Sequence, residues 1–564
     1  MEALDWLVIG VFFLALIGII VWVVRQKQND SADYFLGGRD ATWLAIGASI
    51  FASNIGSEHL IGLAGAGASS GMAMAHWEIQ GWMILILGWV FVPFYTRSMV
   101  YTMPEFLERR YNPQSRTILS VISLVSYVLT KVAVTVYAGG LVFQQVFGIK
   151  ELWGIDFFWI AAIGLVVLTA LYTIFGGMKS VLYTSVLQTP ILLLGSLIIL
   201  VLGFKELGGW DEMMRVCGAV TVNDYGDTMT NLIRSNDDAN FPWLGALIGS
   251  AIIGFWYWCT DQFIVQRVLS GKNEMEARRG TIFGAYLKLL PVFLFLIPGM
   301  IAFALHQKYI GAGGEGFLPM LANGTANADA AFPTLVAKLL PVGVKGLVVC
   351  GILAALMSSL ASLFNSSAML FTIDFYKRFR PQTSEKKLVG IGQVATVVIV
   401  ILGILWIPIM RSVGDVLYTY LQDVQSVLAP GIAAAFLLGI CWKRTSAQGG
   451  MWGLISGMVI GLTRLGAKVY YSNAGEVADS TFKYLFYDMN WLFFCGWMFL
   501  FCIIVVIVVS LATEAPTAEK IQGLVFGTAT KEQKASTRAS WNHWDIIHTV
   551  IILAITGAFY WYFW

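Results

Sequence analysis

Several charged and amide side chains lie within apolar stretches that are long enough to cross a lipid bilayer. A charge at membrane depth is costly, so each of these side chains must face protein or water. Asp261 and Lys131 could neutralise each other as a structural ion pair, and Glu78 and Lys288 could do the same. The charged and titratable side chains in these stretches are Glu58, His59, Glu78, Lys131, Asp261 and Lys288.

The same polar side chains are also typical of a binding site for an uncharged polyol. Amides, carboxylates and cations hydrogen-bond hydroxyl groups, and aromatic faces cover the C–H side of a sugar ring. A carboxylate ligand would instead favour an unpaired Arg in the core, and no predicted span has one at its centre, although Lys131 or Lys288 could serve an anion. The side chains that supply this chemistry are Asn54, His59, Trp77, Glu78, Tyr257, Trp258, Lys288 and Gln422.

A serine- and alanine-rich stretch, 354–368, is a candidate for binding a cation. Sodium is a hard ion that prefers oxygen ligands, and hydroxyl groups together with carbonyls freed by an unwound helix provide them without a fixed charge. Ser358 and Ser359 are therefore candidate sodium ligands. The alternative is close packing of membrane helices through small residues.

The composition sets the class of protein that must position these residues. The chain has 564 residues, is 57% hydrophobic and 12% charged, and has a mean hydropathy of +0.72. Soluble proteins are about 45–50% apolar and about 25% charged, so a water-soluble enzyme is excluded. The net charge of +2 provides no basic field for nucleic acid, and the phosphate-binding loop of an ATP-driven pump is missing.

Hydropathy predicts an all-α polytopic membrane protein with fourteen transmembrane helices. The connections on one side of the membrane carry about twice as many Lys and Arg residues as those on the other. The positive-inside rule therefore predicts a protein of the plasma membrane or bacterial inner membrane with both termini on the external side. The predicted spans are 5–24, 41–66, 73–96, 117–147, 155–175, 180–203, 242–268, 279–305, 343–372, 386–410, 413–440, 447–467, 491–512 and 545–562.

Two of these spans, which begin at residues 41 and 242, combine glycine, serine and polar groups at membrane depth. Such a pair of interrupted helices five spans apart is typical of two inverted repeats with a binding site between them. The predicted units are an extra span and loop at 1–40, a first five-helix repeat at 41–203, an external loop at 204–241, a second five-helix repeat at 242–440, and three further spans with a cytoplasmic linker at 441–564.

Several strings resemble the sodium/glucose cotransporters of the solute:sodium symporter family. They are Ser-Ala-Asp-Tyr-Phe-Leu-Gly-Gly-Arg at 31–39, Gly-Ala-Ser-Ile-Phe-Ala-Ser-Asn-Ile-Gly-Ser-Glu-His at 47–59, Trp-Tyr-Trp-Cys-Thr-Asp-Gln-Phe-Ile-Val-Gln-Arg at 256–267, Tyr-Leu-Lys-Leu at 286–289 and Met-Ser-Ser-Leu-Ala-Ser-Leu-Phe-Asn-Ser at 357–366. The resemblance extends from about residue 30 to about residue 465. It implies a LeuT-type core of ten helices and sodium-driven uptake of a monosaccharide.

The resemblance also implies roles for individual residues. Trp77 and Leu63 would line the outer side of the site, Tyr257 would be an inner gate stacked on the sugar, and Trp258 would stand beside it. The implied sugar contacts are Asn54, His59, Glu78, Tyr257, Lys288 and Gln422. The implied sodium ligands are the carbonyls of Ala52, Ile55 and Ala355 and the hydroxyls of Ser358 and Ser359.

Three positions depart from the family pattern. Gly254 replaces a polar residue that often contacts sugar, whereas Ser185 and Ala361 replace oxygen-bearing groups of a second sodium site. We therefore expect one sodium ion per sugar, although Ser185 and Ser362 with carbonyls could still hold a second ion.

The sequence favours a membrane symporter for a neutral monosaccharide of the glucose or galactose type. The alternatives are a sodium-coupled carrier of inositol, sialic acid or an amino acid, and a sensor that binds sugar without transporting it. An enzyme is not expected, because no activated nucleophile or metal set accompanies Glu58 and His59.

Overall fold

The computed structural model describes residues 1–26, 30–56, 58–321, 324–412, 417–473 and 478–564, and these are predominantly helical. A two-stranded antiparallel ribbon pairs Glu151–Leu152 with Ile155–Asp156. The longer helices are Ala3–Arg25, Trp43–Asn54, Pro113–Ser126, Ala133–Phe147, Phe157–Leu207, Trp243–Gly254, Glu274–Lys288, Ile297–Gly311, Val344–Met369, Glu385–Ser412, Leu417–Cys441, Ala447–Asn473, Trp491–Ala512 and His543–Tyr562.

Shorter elements connect or extend these helices. The short α-helices are Ser31–Leu36, Ala64–Ser70, Ala75–Glu78, Gly81–Ile86, Val92–Ser98, Met103–Arg110, Trp210–Gly218, Gln262–Leu269, Ala331–Leu339, Lys377–Phe379, Thr481–Lys483, Ala518–Ile521 and Lys531–Ala539. The 3₁₀ turns are Gly37–Arg39, Gly71–Met74 and Ala328–Ala330. The π-helical turns are Glu58–Leu63, Leu87–Phe91, Tyr127–Val132, Phe255–Thr260, Val292–Leu296, Leu370–Tyr376 and Tyr484–Asp488.

Ten helical stretches of the described chain are long and apolar enough to cross a membrane. In the apolar part of Val344–Phe379, 94% of the residues are buried, compared with 22% in Ala3–Arg25 and in His543–Tyr562. The bundle therefore forms around Val344–Phe379, and the first and last helices lie at its periphery.

The stretch predicted as two separate spans at 155–175 and 180–203 is one helical element of 51 residues, Phe157–Leu207. Its direction changes at Gly177, where φ is 52°. A side chain at Gly177 would overlap the backbone of Tyr34, so glycine permits both the left-handed conformation and the close approach. A kink takes the place of the expected connecting loop, and hydropathy alone cannot distinguish the two.

The first predicted broken helix is interrupted at the position that its polar residues indicated. Trp43–Asn54 ends at Ile55, whose backbone is extended (φ −79°, ψ 109°), and the chain becomes helical again from Glu58. The second half packs closely on a neighbouring helix, because a Cβ at Gly67 would overlap the carbonyl of Leu296. The prediction of an interrupted helix is confirmed.

The second predicted broken helix is interrupted at Asp261, which is also extended (φ −76°, ψ 127°). Its carboxylate accepts a hydrogen bond from the backbone N–H of Phe263 at 3.2 Å and caps the helix that follows. Lys131 Nζ lies 2.6 Å from the same carboxylate, and the Tyr127 hydroxyl donates to it. The predicted ion pair between Asp261 and Lys131 is therefore present.

Both termini lie on the face that carries the two long loops, 204–241 and 306–342. The Asp5 carboxylate accepts from the N–H of Gly343 at 2.7 Å, and the carbonyl of Phe563 accepts from the N–H of Leu232 at 3.0 Å. The segment 513–540 lies on the opposite face, between the ends of Trp491–Ala512 and His543–Tyr562.

Candidate functional site

A cavity in the centre of the bundle lies beside both helix breaks. It brings together eight of the nine residues proposed to contact or enclose a sugar, although they come from five separate parts of the chain. Leu63, the ninth, is fully buried in the π-helical turn Glu58–Leu63 and is not part of the cavity wall. The lining residues are Asn54, Glu58, His59, Trp77, Glu78, Gln80, Ile253, Gly254, Tyr257, Trp258, Lys288, Gln422 and Gln425.

The polar side chains of the cavity form one connected network. Lys288 Nζ donates to a Glu78 carboxylate oxygen at 2.6 Å and to Asn54 Oδ1 at 3.1 Å. The Asn54 amide nitrogen donates to the Tyr257 hydroxyl at 3.1 Å, and His59 Nε2 lies 3.2 Å from Glu78. All five side chains are buried. The predicted ion pair between Glu78 and Lys288 is therefore present, and it lies among the side chains predicted to bind a solute.

This network occupies most of the space that it encloses. The remaining cavity measures about 30 Å³, which is well below the roughly 300–1,000 Å³ of a typical small-molecule site. A larger polar solute must therefore displace contacts between these side chains and replace them with its own hydrogen bonds. Hydroxyl groups meet this requirement, because each can donate to a carboxylate and accept from an ammonium or amide group.

Three polar atoms of the cavity remain available for such a solute. Among the described residues, His59 Nδ1, Trp77 Nε1 and Gln422 Oε1 are buried and have no hydrogen-bond partner. A buried unpaired donor or acceptor costs about 1–3 kcal/mol. These atoms therefore favour a ligand that carries both donors and acceptors.

Aromatic side chains cover the cavity toward the face of the long loops. Trp77 stacks on Trp491 with ring centroids 5.5 Å apart and an angle of 25°, and its edge meets Phe241 at 6.2 Å. Phe241 ends the loop 204–241, and Trp491 begins a helix outside the predicted repeats. This position of Trp77 is consistent with its predicted place on the outer side.

Tyr257 and its neighbours form the aromatic wall beside the second break. The Tyr257 ring centroid lies 5.0 Å from that of Trp258 and 6.3 Å from that of Phe263, which follows the break. Lys131 Nζ lies 4.8 Å from the Tyr257 centroid, and Lys288 Nζ lies 5.3 Å from Trp258. Tyr257 therefore connects the central network to the ion pair at Asp261.

Four residues contribute to this site although the sequence analysis did not place them in it: Glu58, Gln80, Gln425 and Trp491. Glu58 and Gln425 line the cavity, and Trp491 covers Trp77 from a distant helix. Gly254 makes room for the Gln80 amide, which would overlap a Cβ at that position and which donates to the carbonyl of Ser250 at 2.8 Å. Gln425 follows Gln422 by one helical turn, so its place on the same face could have been inferred.

The proposed sodium ligands lie around the first break. Trp43–Asn54 ends just before Ile55, and carbonyls in the last turn of a helix lack intrahelical partners, which makes those of Ala52 and Ile55 available. Ser359 lies against the break, since a Cβ at Gly56 would be 3.2 Å from its hydroxyl. These neutral oxygens are of the type that sodium prefers.

The two other proposed ligands are within the uninterrupted helix Val344–Met369. Ala355 lies one turn before Ser359, so its carbonyl would be shared between the helix and an ion. The Ser358 hydroxyl is 3.2 Å from that of Ser185, which also donates to the carbonyl of Val181 at 2.6 Å. Within the described residues, no group of three or more His, Cys, Asp or Glu side chains could hold a metal ion.

Comparisons with known proteins identify the family of this chain. The model of the sodium:solute symporter family matches residues 34–457. Sodium/myo-inositol cotransporter 2 of Homo sapiens is 36% identical over 542 residues, which cover 94% of this chain and 79% of that protein. Sodium/glucose cotransporter 4 of Danio rerio is 36% identical over 560 residues, which cover 96% of this chain and 84% of that protein.

The fold also matches that of a solved transporter. The substrate-bound outward-open structure of a Na⁺-coupled sialic acid symporter superposes with a TM-score of 0.72 at 22% identity, covering 92% of this chain and 99% of that chain. The family match covers most of the sequence, and the two relatives extend over nearly all of it. The chain therefore belongs to the sodium:solute symporter family, whose members couple a solute to Na⁺.

Proposed function

We propose that this protein is a sodium:sugar symporter that imports a neutral monosaccharide by alternating access. The observation that carries the proposal is the central network of Asn54, His59, Glu78, Tyr257 and Lys288, which a polyol can replace bond for bond. Trp77, Trp258 and Gln422 complete the proposed sugar site.

The charge balance of the cavity favours a neutral solute over an anion. Lys288, which could attract a carboxylate, is already paired with Glu78, and Glu58 adds a second carboxylate to the wall. The buried Arg267 lies behind Phe263, with its guanidinium carbon 5.1 Å from that ring, and does not line the cavity. An anionic sugar or an amino acid carboxylate would therefore meet more negative than unpaired positive charge.

We infer that sodium is held by the carbonyls of Ala52, Ile55 and Ala355 and the hydroxyls of Ser358 and Ser359. Ile55 directly follows Asn54, a proposed sugar contact, on the same broken helix. An ion that fixes the conformation of the break would therefore also fix the position of the Asn54 amide. This adjacency gives a direct route for the reciprocal coupling that symport requires.

We infer one sodium ion per sugar from the residues at the position of the family's second sodium site, Ser185, Ala361 and Ser362. Ser185 donates to its own helix, and the hydroxyls of Ser362 and Ser53 lie 2.7 Å apart. Ala361 contributes no oxygen. A second ion would have to break these hydrogen bonds without a carboxylate in compensation.

We place this site in a LeuT-type core made of two five-helix repeats, 41–203 and 242–440, within fourteen spans. The segments 1–40, 204–241 and 441–564 would be accessory. The excess of Lys and Arg in the connections of one face supports external termini in a plasma or inner membrane. The peripheral location of Ala3–Arg25 and His543–Tyr562 is consistent with this assignment.

A cyclitol is the second candidate substrate. Sodium/myo-inositol cotransporters of Homo sapiens and Canis lupus familiaris are 36% and 37% identical to this chain. Glu58 adds a carboxylate acceptor to the cavity wall, which suits a ring in which every carbon carries a hydroxyl donor.

Uptake into proteoliposomes tests the proposal. Labelled glucose, galactose and myo-inositol should each be assayed with an inward sodium gradient and with choline in its place, and unlabelled solutes should compete. We expect sodium-dependent uptake of at least one neutral polyol and no competition by sialic acid. Uptake that is unchanged in choline, or binding without accumulation, would contradict symport.

A further inference from the structure

A second cavity, of about 410 Å³, lies on the face opposite to the long loops. One wall is the end of the membrane-crossing stretch Glu58–Ser98. The other is the polar segment that follows Trp491–Ala512, including Lys520 and Gln533. The cavity is therefore at the level where membrane helices end, and it connects the bundle to the segment 513–540.

Three cations and one carboxylate line this cavity: Arg97, Arg109, Lys520 and Glu519. Arg109 pairs with Glu105 outside the cavity at 2.9 Å, which still leaves an excess of positive charge. The three cations come from separate parts of the chain and converge only in the folded protein.

The hydrogen bonds of these cations leave donors for a ligand. Lys520 Nζ donates to the carbonyl of Glu108 at 2.9 Å, and Arg97 donates through one terminal nitrogen to Thr537. Arg97 Nε has no acceptor among the residues that the structure describes, but it is buried, so a ligand reaches it only if the side chain turns. The Arg109 side chain, in contrast, is 45% exposed and can contact a ligand directly. An unsatisfied guanidinium donor in a positively charged cavity favours an anion with several oxygen atoms.

We propose that this cavity binds a phosphate group, carried by a lipid headgroup or by a small soluble phosphate ester. The planar guanidinium groups of Arg97 and Arg109 match phosphate oxygens, and Lys520 adds a third positive charge. Basic pockets at the cytoplasmic ends of membrane helices are suited to phospholipid headgroups. The proposal uses the orientation stated under the proposed function but does not depend on the transported solute.

Binding to the purified full-length protein in an uncharged detergent tests this site. The probes are dioctanoyl phosphatidic acid, glycerol 3-phosphate and, as a lipid without a terminal phosphate, dioctanoyl phosphatidylcholine. Arg109→Gln/Lys520→Gln should weaken phosphatidic acid binding about a hundredfold, because it removes two charge-assisted contacts. The matched control Lys531→Gln/Lys534→Gln removes two exposed cations of the same segment and should change the affinity less than twofold.

A third variant separates a lost site from a damaged protein. Glu519→Gln removes the carboxylate of the cavity and should tighten binding severalfold, which misfolding cannot do. Binding by glycerol 3-phosphate with the same dependence on the variants would identify a soluble ligand, and binding by phosphatidic acid alone would identify a headgroup. Equal weakening in both double variants, or equal binding of phosphatidylcholine, would overturn the proposal. Sodium-dependent uptake is measured separately, so failure of this site and failure of symport are distinguishable.

Discussion

The two helix breaks differ in the groups that pair with their exposed backbone atoms. At the second break, the chain provides its own charge, because Asp261 caps the next helix and pairs with Lys131 at 2.6 Å. At the first break, the described residues are Ile55 and Gly56, which have no side-chain oxygen, and Ser57 lies outside the described residues. Exposed backbone groups there must find partners on another helix or on a bound ion.

We infer from this difference that the second break has a structural role and that the first has a sodium-dependent one. The second break is closed by the ion pair of Asp261 and Lys131 and places Tyr257, the proposed inner gate, in the wall of the central cavity. The first break offers neutral oxygens such as the Ser359 hydroxyl, whose proposed interaction with an ion is reversible. A transporter needs both properties, since one part must remain in place while another changes with the sodium concentration.

The largest expected effect comes from removing the ion pair at the second helix break. Lys131→Met leaves the Asp261 carboxylate buried without its cation and should destabilise the protein by about 3–5 kcal/mol. The measurement is thermal unfolding of the purified protein. Lys131→Met/Asp261→Asn should recover much of the loss because no unpaired charge remains, and Lys386→Met, which removes an exposed cation, should leave the midpoint unchanged. A single variant as stable as the double variant would contradict the fixed-charge account.

Gln422 lies outside both helix breaks, so its substitution should change solute binding without changing the conformation of either break. Gln422→Ala removes the unpaired Oε1 from the cavity, so a sugar hydroxyl would lose its partner at about 1–3 kcal/mol, or roughly ten- to a hundredfold in affinity. Solute binding at saturating sodium measures this effect. An unaltered affinity would mean that the solute lies elsewhere.

At the first helix break, removal of the Ser359 hydroxyl should lower the affinity for sodium. Ser359→Ala should weaken sodium binding about tenfold, the equivalent of one hydrogen bond to an ion. Ser362→Ala, on the same helix but paired with Ser53, is the matched control and should alter sodium affinity less than twofold. Both are compared in sodium titrations of uptake. Equal behaviour of the two variants would favour helix packing as the role of Ser359.

The smallest effect concerns the number of ions. A charge moved across 100 mV gains about 2.3 kcal/mol, and a tenfold gradient is worth about 1.4 kcal/mol. With one coupled sodium, a tenfold change in the gradient of a neutral solute should therefore shift the reversal potential by about 60 mV, and with two by about 30 mV. A shift near the smaller value, or a Hill coefficient for sodium clearly above one, would contradict a single site.

Much of this architecture could be predicted from the sequence because its signals are local. Polar groups within apolar segments identified both breaks, the ion pair of Asp261 and Lys131, and eight residues that now line one cavity. The kink at Gly177 was missed, since a turn within an apolar stretch and a helix that continues through it have the same hydropathy.

The residues that were missed depend on contacts between distant parts of the chain. Trp491 covers Trp77 from more than four hundred positions away in sequence, and no periodicity reports such a contact. Gln80 enters the cavity only because Gly254 has no side chain. Glu58 was recognised as a costly charge, but its place in the wall follows from the break beside it. These features require the packed bundle.

The central claim is that sodium at the first break prepares the solute site next to it. The most direct measurement is the affinity for the transported polyol in the wild-type protein as sodium is replaced by choline at constant ionic strength. We predict that affinity rises with sodium by about 5- to 150-fold, the range of typical coupling free energies. In Ser359→Ala, the same rise should require a higher sodium concentration. A solute affinity that is independent of sodium in the wild-type protein would contradict the account.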